Sequence, residues 1–427
     1  MGTLEYVASG MGHTRIPSRF ATENPEILDI INSYFLDLNG ANDHKFSMLF
    51  NAFIEKNFGP VFHKNYKNSI YTIHADSGGL QILTQGKSIT PELKDQIYKT
   101  QANYSDIAMC FDEIPVTMAG DRSDRNDTAG RFFDISILEE KARETGKNIK
   151  RQVEVFLDEK SKSKPMIIAQ GNCYDTYMKW MEYLLDEIPQ SYYEAIGGVA
   201  FGSAALGNGV FEDFQRAAFV SKMPFEMKNP YVHILGVGSI RRLIPYLVLM
   251  RNGYYPDNLH LSYDSTTLTS GLSLGNYYIN DGLFGISRSF GEKYIILYND
   301  INSKYGLDAK GICVNEFFKA INSTTDYAKE SDGQDVDLEK LKKYYNCHIS
   351  YVASSIRNFT KTVIDCKNDT RRLFSVSEKY GISKEVHSFS KVKTLDDFNY
   401  WQSAVRSSIR SKKVSNEKPS TLETYFE

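Results

Sequence analysis

Three aspartates in this chain each close an apolar run and are followed by polar or small residues. Asp76 opens Asp76-Ser77-Gly78-Gly79-Leu80-Gln81 after SIYTIHA, Asp112 lies in Phe111-Asp112-Glu113 after DIAMC, and Asp264 lies in Tyr263-Asp264-Ser265 after NLHLS. Between the last two stand Ala169-Gln170-Gly171 after KPMII, Ile196-Gly197-Gly198-Val199 after YYEA, and Leu235-Gly236-Val237-Gly238 after YVHI. Paired carboxylates at a glycosidic centre can act together, one attacking the anomeric carbon while the other moves protons. Asp264 fits the attacking role. A carboxylate such as Asp112 can accept the paired N–H donors of a guanine-like edge. Gln170 offers both a donor and an acceptor to a heterocycle. Gly197 and Gly198 bare backbone N–H and C=O groups that suit a purine O6 and an exocyclic amine, and Gly236–Gly238 can wall the same pocket or take a phosphate at a helix N-terminus. Each motif alone also has a structural reading. Asp76 can cap the next helix and Asp264 the next loop, Asp112 and Glu113 can be salt-bridged, and the glycines can serve close packing.

Elements must bring these six segments together. Gln170 to Gly197 is 27 residues, Gly197 to Gly236 is 39, and Gly236 to Asp264 is 28, each enough for one strand, one loop and one helix. That rhythm predicts parallel strands. Helical patterns fall at 92–102, 135–158, 174–188, 211–222 and 240–251. Two further strands are expected at 4–9 and within 27–38, which makes about eight and predicts a (βα)8 barrel over residues 1–275, with the active site at the C-terminal ends of its strands. The 58-residue step from Asp112 to Gln170 holds the polar stretch AGDRSDRNDTAGR, expected to run over the pocket. Residues 276–410 read as a mixed, mainly helical appendage and 411–427 as a disordered tail.

The chain has 427 residues and a formal net charge of −3. Residues 341–427 carry 16 Lys+Arg against 9 Asp+Glu, so a net +7 end sits on a −10 body. This points to an anionic partner, with Arg371, Arg372, Lys391, Lys393, Arg406 and Arg410 as candidate phosphate contacts. Five scattered cysteines make no disulfide framework. The N-terminus lacks a signal-peptide pattern, and no run approaches the ~20 apolar residues of a membrane span. The expectation is a soluble, cytoplasmic protein with no membrane partner.

Taken in order, the motifs from about residue 70 to 271 resemble those of the tRNA-guanine transglycosylase superfamily: a DSGGFQ-type segment, FDE, QG, A-[IV]-GG, GVG and an FDC-type segment. The resemblance implies exchange of a guanine in nucleic acid for a 7-deazaguanine through a covalent enzyme–sugar intermediate, with no further cofactor. It assigns Asp264 as nucleophile and Asp76 as general acid/base. Asp112 would bind the N–H edge of the base, Gln170, Gly197, Gly198 and Val199 the opposite edge, and Leu235 and Gly236 the pocket wall. Departures point to one branch. Leu80 replaces the stacking aromatic, and the loop after Asp264, Ser265-Thr266-Thr267-Leu268-Thr269-Ser270, has no arginine to read an anticodon loop. The zinc signature is reduced to Cys313, Cys347, His348 and Cys366, which leaves a zinc site as a minor alternative to packing. This combination resembles the DNA-directed branch, many of whose members are encoded by bacteriophages to evade restriction. Such an enzyme works on a guanine taken out of the stack. A divergent tRNA enzyme and a non-catalytic nucleic-acid-binding subunit are the alternatives, and a homodimer or partner protein is left open.

Overall fold

The computed structural model describes residues 2–11, 16, 21, 23–40, 44–55, 57–79, 89–118, 131–202, 210–220, 231–271, 275–285, 291–322 and 337–413. Eight parallel strands close into a barrel: β1 (Thr3–Ala8), β2 (His44–Asn51), β3 (Ile73–Asp76), β4 (Ile107–Met109), β7 (Lys164–Ala169), β8 (Gly198–Phe201), β9 (Tyr231–Ile234) and β10 (His260–Ser265). Neighbours follow the chain, and β10 pairs with β1 to complete the circle. Two antiparallel hairpins are inserted after strand ends. One is β5 (Val116–Met118) with β6 (Arg131–Phe133), the other β11 (Asn276–Ile279) with β12 (Gly282–Gly285). The stretch expected over the pocket lies almost wholly outside the described residues; Arg131 alone enters, in β6.

The strand expected at 4–9 is present as β1, but the second early strand differs from expectation. Residues 27–38 form no strand; they lie in helix α1 (Pro25–Gly40). Its apolar residues recur at helical spacing and bury Ile27, Ile31, Tyr34, Phe35 and Leu38 along one face. The Asn24 side chain caps the start by accepting from the N–H groups of Glu26 and Ile27. The second strand is β2, almost wholly buried. The five expected helices are present as α3 (Pro91–Tyr104), α4 (Leu138–Asp158), α5 (Tyr174–Leu185), α6 (Val210–Phe219) and α7 (Ile240–Arg251), with α2 (Phe58–Tyr66) between β2 and β3.

The eighth place in the outer ring is filled from much further along the chain. After β10 come the β11–β12 hairpin, α8 (Gly291–Tyr305) and α9 (Val314–Asn322) before α10 (Leu338–Asn368), a helix of 31 residues. It packs against both α1 and α7. Phe359 of α10 meets Tyr6 of β1 and Tyr263 of β10 edge-on, over the seam where the barrel closes. The Lys367 ammonium donates to the Gly2 carbonyl. Helices α11 (Thr370–Lys379), α12 (Ser383–Phe389) and α13 (Leu395–Lys413) follow. Trp401 of α13 packs on Phe214 and Phe389. Among the described residues, no helix is long and apolar enough to cross a membrane.

Candidate active site

Alternation along the strands decides which side chains enter the barrel. Asp76 is the last residue of β3, Asp112 lies three residues beyond β4, Gln170 comes directly after β7, and Asp264 is the fifth residue of β10. All four therefore gather at the C-terminal rim, where parallel barrels build their sites. Asp112 and Glu113 diverge. The carboxylate of Asp112 accepts a 2.5 Å hydrogen bond from Gln170 Nε2, while Glu113 turns away to Lys94 at 3.2 Å.

Each rim carboxylate has its own environment. Asp264 is buried, and its Oδ1 accepts the backbone N–H of Gly236 at 2.7 Å. His233 Nε2 lies 3.3 Å from the same oxygen. Asp76 Oδ2 accepts from Asn51 Nδ2 at 3.1 Å, and Asn51 is itself anchored by the N–H groups of Phe53 and Ile54. Burial and the charge of nearby Asp264 raise the Asp76 pKa to about 6, against the opposing N–H groups of Gly78 and Ser77. Burial raises Asp112 to about 7; the Gln170 hydrogen bond opposes this and the charge of Asp76 adds to it. The rim thus holds one anchored acid and two whose pKa values are raised toward neutrality. Among the described residues, the buried Gln170 Oε1 has no hydrogen-bond partner, an acceptor left for a ligand.

Not every expected residue reaches the rim. Gly197 and Gly198 lie at the N-terminal end of β8, and Val199 comes next, inside the ladder. The N–H of Gly197 donates to Pro165, and Gly198 pairs with Met166 at the start of the neighbouring ladder. At ~3.3 Å per residue, Gly198 is about 10 Å below the tip at Phe201. The reason is that residues 192–195, read as the run leading to the glycines, lie in a 3-10 turn (Gln190–Ala195), so the strand starts at the pair. The rim position belongs to Gly202. A Cβ there would sit 2.1 Å from Gln170 Nε2, so only glycine lets that amide reach Asp112. The last glycine of GGVAFG was its one sequence signal. Leu235 and Gly236 do stand at the rim, with the Leu235 N–H donating to Phe201 and Gly236 in the left-handed region at φ 67°. Leu80 lies outside the described residues.

Sequence reading also missed a polar interior beneath the rim. Glu5, His74, His233 and Ser262 are fully buried one layer down. Glu5 accepts from Thr72 at 2.6 Å, His74 at 3.1 Å, Tyr231 at 2.7 Å and His260 at 2.5 Å. Burial alone would raise its pKa, but the hydrogen bonds and charges of His260 and His74 hold it well below the usual range. The signal was present as polar residues at alternate positions of TLEYVA, TIHA, YVHI and HLSYDS.

The zinc candidates do not converge. Cys347 and Cys366 are 19 residues apart on the single helix α10, ~28 Å along its axis. His348 is buried, its ring packed on Tyr344 and its Nε2 donating to the Ala320 carbonyl at 3.1 Å. Cys313 is exposed. Among the described residues, no group of three or more His, Cys, Asp or Glu could hold a metal ion. Of the basic candidates, Arg372 is ion-paired to Asp281, where it secures the β11–β12 hairpin.

The chain matches no family model, and no curated protein is similar to it in sequence. Its function must therefore be read from the site.

Proposed function

We propose that the protein is a transglycosylase that exchanges guanine in DNA for a 7-deazaguanine base. The observation that carries this reading is the division of labour among three rim carboxylates: Asp264 anchored through one oxygen, and Asp76 and Asp112 biased to hold protons. A barrel that only bound nucleic acid would have no use for three crowded acids, since their repulsion costs stability.

In the proposed reaction, the free Oδ2 of Asp264 attacks C1′ of the target nucleotide. The C1′–N9 bond breaks and its electron pair leaves with guanine, which takes a proton from Asp76. In the second displacement the incoming base gives its N9 proton to Asp76, and its N9 attacks C1′. The sugar–Asp264 bond then breaks and returns its electrons to Oδ2. Two inversions retain the configuration at C1′. One glycosidic bond replaces another, so no energy-supplying cofactor is needed. Asp112, once ionised, accepts N–H groups from the guanine-like edge, and the unpaired Gln170 Oε1 takes another donor.

DNA is favoured over tRNA by the segment after Asp264. Leu268 and Thr269 are buried, and the Thr269 hydroxyl donates to the Ser9 carbonyl, so this loop folds back on β1 instead of offering cationic side chains. The net positive charge of residues 341–427 supplies non-specific phosphate attraction. The test is nucleoside analysis after incubation with a 7-deazaguanine base and either guanine-containing DNA or tRNA. A 7-deazaguanine deoxynucleoside is expected. Modification of tRNA alone would replace the reading with a tRNA enzyme, and exchange in neither would remove the transglycosylase reading.

A further inference from the structure

Resting on the proposed role of Asp264, we infer that His233 is a positioning residue: locked by Ser262, it turns its Nε2–H toward Asp264 Oδ1 and so leaves Oδ2 as the attacking atom. Ser262 and His233 face each other directly across the β10–β9 ladder, and Asp264 stands two residues above Ser262 on the same face. His233 Nδ1 is 2.8 Å from Ser262 Oγ, and that oxygen is 3.2 Å from the Val232 carbonyl.

A hydroxyl has one proton to give. If Ser262 gives it to the nearer acceptor, Nδ1, then Nε2 carries the ring hydrogen and points it at Asp264 Oδ1, 3.3 Å away. The opposite assignment would set the Nε2 lone pair against a carboxylate oxygen, and this buried nitrogen has no hydrogen-bond partner among the described residues to offset that. The first arrangement sets an N–H dipole, not a lone pair, against the carboxylate without burying an added charge.

The layer below holds the imidazole in place. The His74 ring lies 5.2 Å from the His233 ring, and His74 is committed to Glu5. Glu5 already accepts four hydrogen bonds, so it does not compete for His233. Above, the charged neighbours of the ring are Asp264 and Asp76. With Gly236 N–H bonded to Oδ1 and His233 Nε2–H facing the same oxygen at 3.3 Å, the lone pairs of Oδ2 are left for chemistry. Ser262, His233 and Asp264 carry the residue types of a hydrolase triad, but here the serine is the buried end and the aspartate the reactive one.

The experiment labels histidines of the full chain with 15N and assigns the His233 resonances by their loss in His233→Gln. Long-range proton–nitrogen correlation at neutral pH should show a neutral ring protonated at Nε2. A ring protonated at Nδ1, or at both nitrogens, overturns the inference whatever the reaction proves to be. The functional arm compares His233→Leu with His233→Gln in single-turnover exchange. Loss of the donor should slow the leucine variant roughly 100-fold, with base affinity unchanged and the rate largely restored in the glutamine variant. Equal loss in both variants, each with wild-type thermal unfolding, overturns the inference, as does an unslowed leucine variant.

Discussion

Glu5 and Asp112 are acids in one barrel with opposite surroundings. Glu5, in the lower layer, is saturated by Thr72, His74, Tyr231 and His260, and stays ionised in spite of full burial. Asp112, at the rim, has Gln170 as its one side-chain donor among the described residues and Asp76 as a like-charged neighbour, and is pushed up to about 7. A carboxylate whose lone pairs are all taken is holding strands together. One whose lone pairs are left open, at a cost, is waiting for something that is not part of the chain.

The largest effect should come from breaking the saturated end. Glu5→Gln places an amide among donors already aimed at a carboxylate and should cost about 3–5 kcal/mol in urea unfolding, while leaving the rim residues intact. A loss under 1 kcal/mol would mean that Glu5 is not the lower keystone.

Glycine substitutions sharpen the contrast between the two ends. In Gly198→Ala the new Cβ would lie 2.1 Å from the Tyr231 backbone oxygen, which cannot move without shifting β9, so about 1–3 kcal/mol of stability should be lost. In Gly202→Ala the Cβ meets the Gln170 side chain, which can swing away. That variant should unfold like the wild type but bind the base more weakly, as read by calorimetry. Equal destabilisation by both would erase the distinction between the ends.

Stability against pH separates the carboxylates by sign. Asp112 has a folded pKa above its unfolded value near 3.8, so its folded form is favoured at low pH and that advantage is lost as pH rises from about 4 to about 7. Glu5 is depressed, so its contribution is present above its unfolded value near 4.5 and is lost as pH falls below that. Asp112→Asn should therefore flatten the decline between pH 4 and 7, by on the order of 1–3 kcal/mol after solvent screening, and leave acid unfolding unchanged. An unaltered profile would contradict the assigned environment of Asp112.

Strand physics sets how much of this was legible in the chain. Parallel strands buried on both faces read as short apolar runs, so β1, β3, β4, β7, β9 and β10 announced themselves, and the acids at their ends with them. GVAF is also such a run, but glycine flanks it on both sides, and local pattern does not say which glycine begins the strand and which ends it. The strand in 27–38 was misread because a helix with a broad apolar face also yields short apolar runs. β2 carries Lys45, Ser47 and Asn51 among its apolar residues and so gave a weaker signal. The eighth helix lay 72 residues beyond the last barrel strand, a connection no local spacing reveals. The polar layer was visible residue by residue, yet the mutual satisfaction of Glu5, His74 and His260 is a property of three strands together.

The central claim, that Asp264 is the nucleophile, is tested most directly by mapping the covalent intermediate. The full chain is incubated with guanine-containing DNA and a 7-deazaguanine base, quenched in acid and digested, and its peptides are analysed by mass spectrometry. The account predicts a peptide carrying the target sugar, without its guanine, on Asp264. In Asp264→Asn the adduct should vanish and exchange should fall by at least ~10⁴-fold. An adduct on any other residue, or exchange that persists in Asp264→Asn, would contradict it.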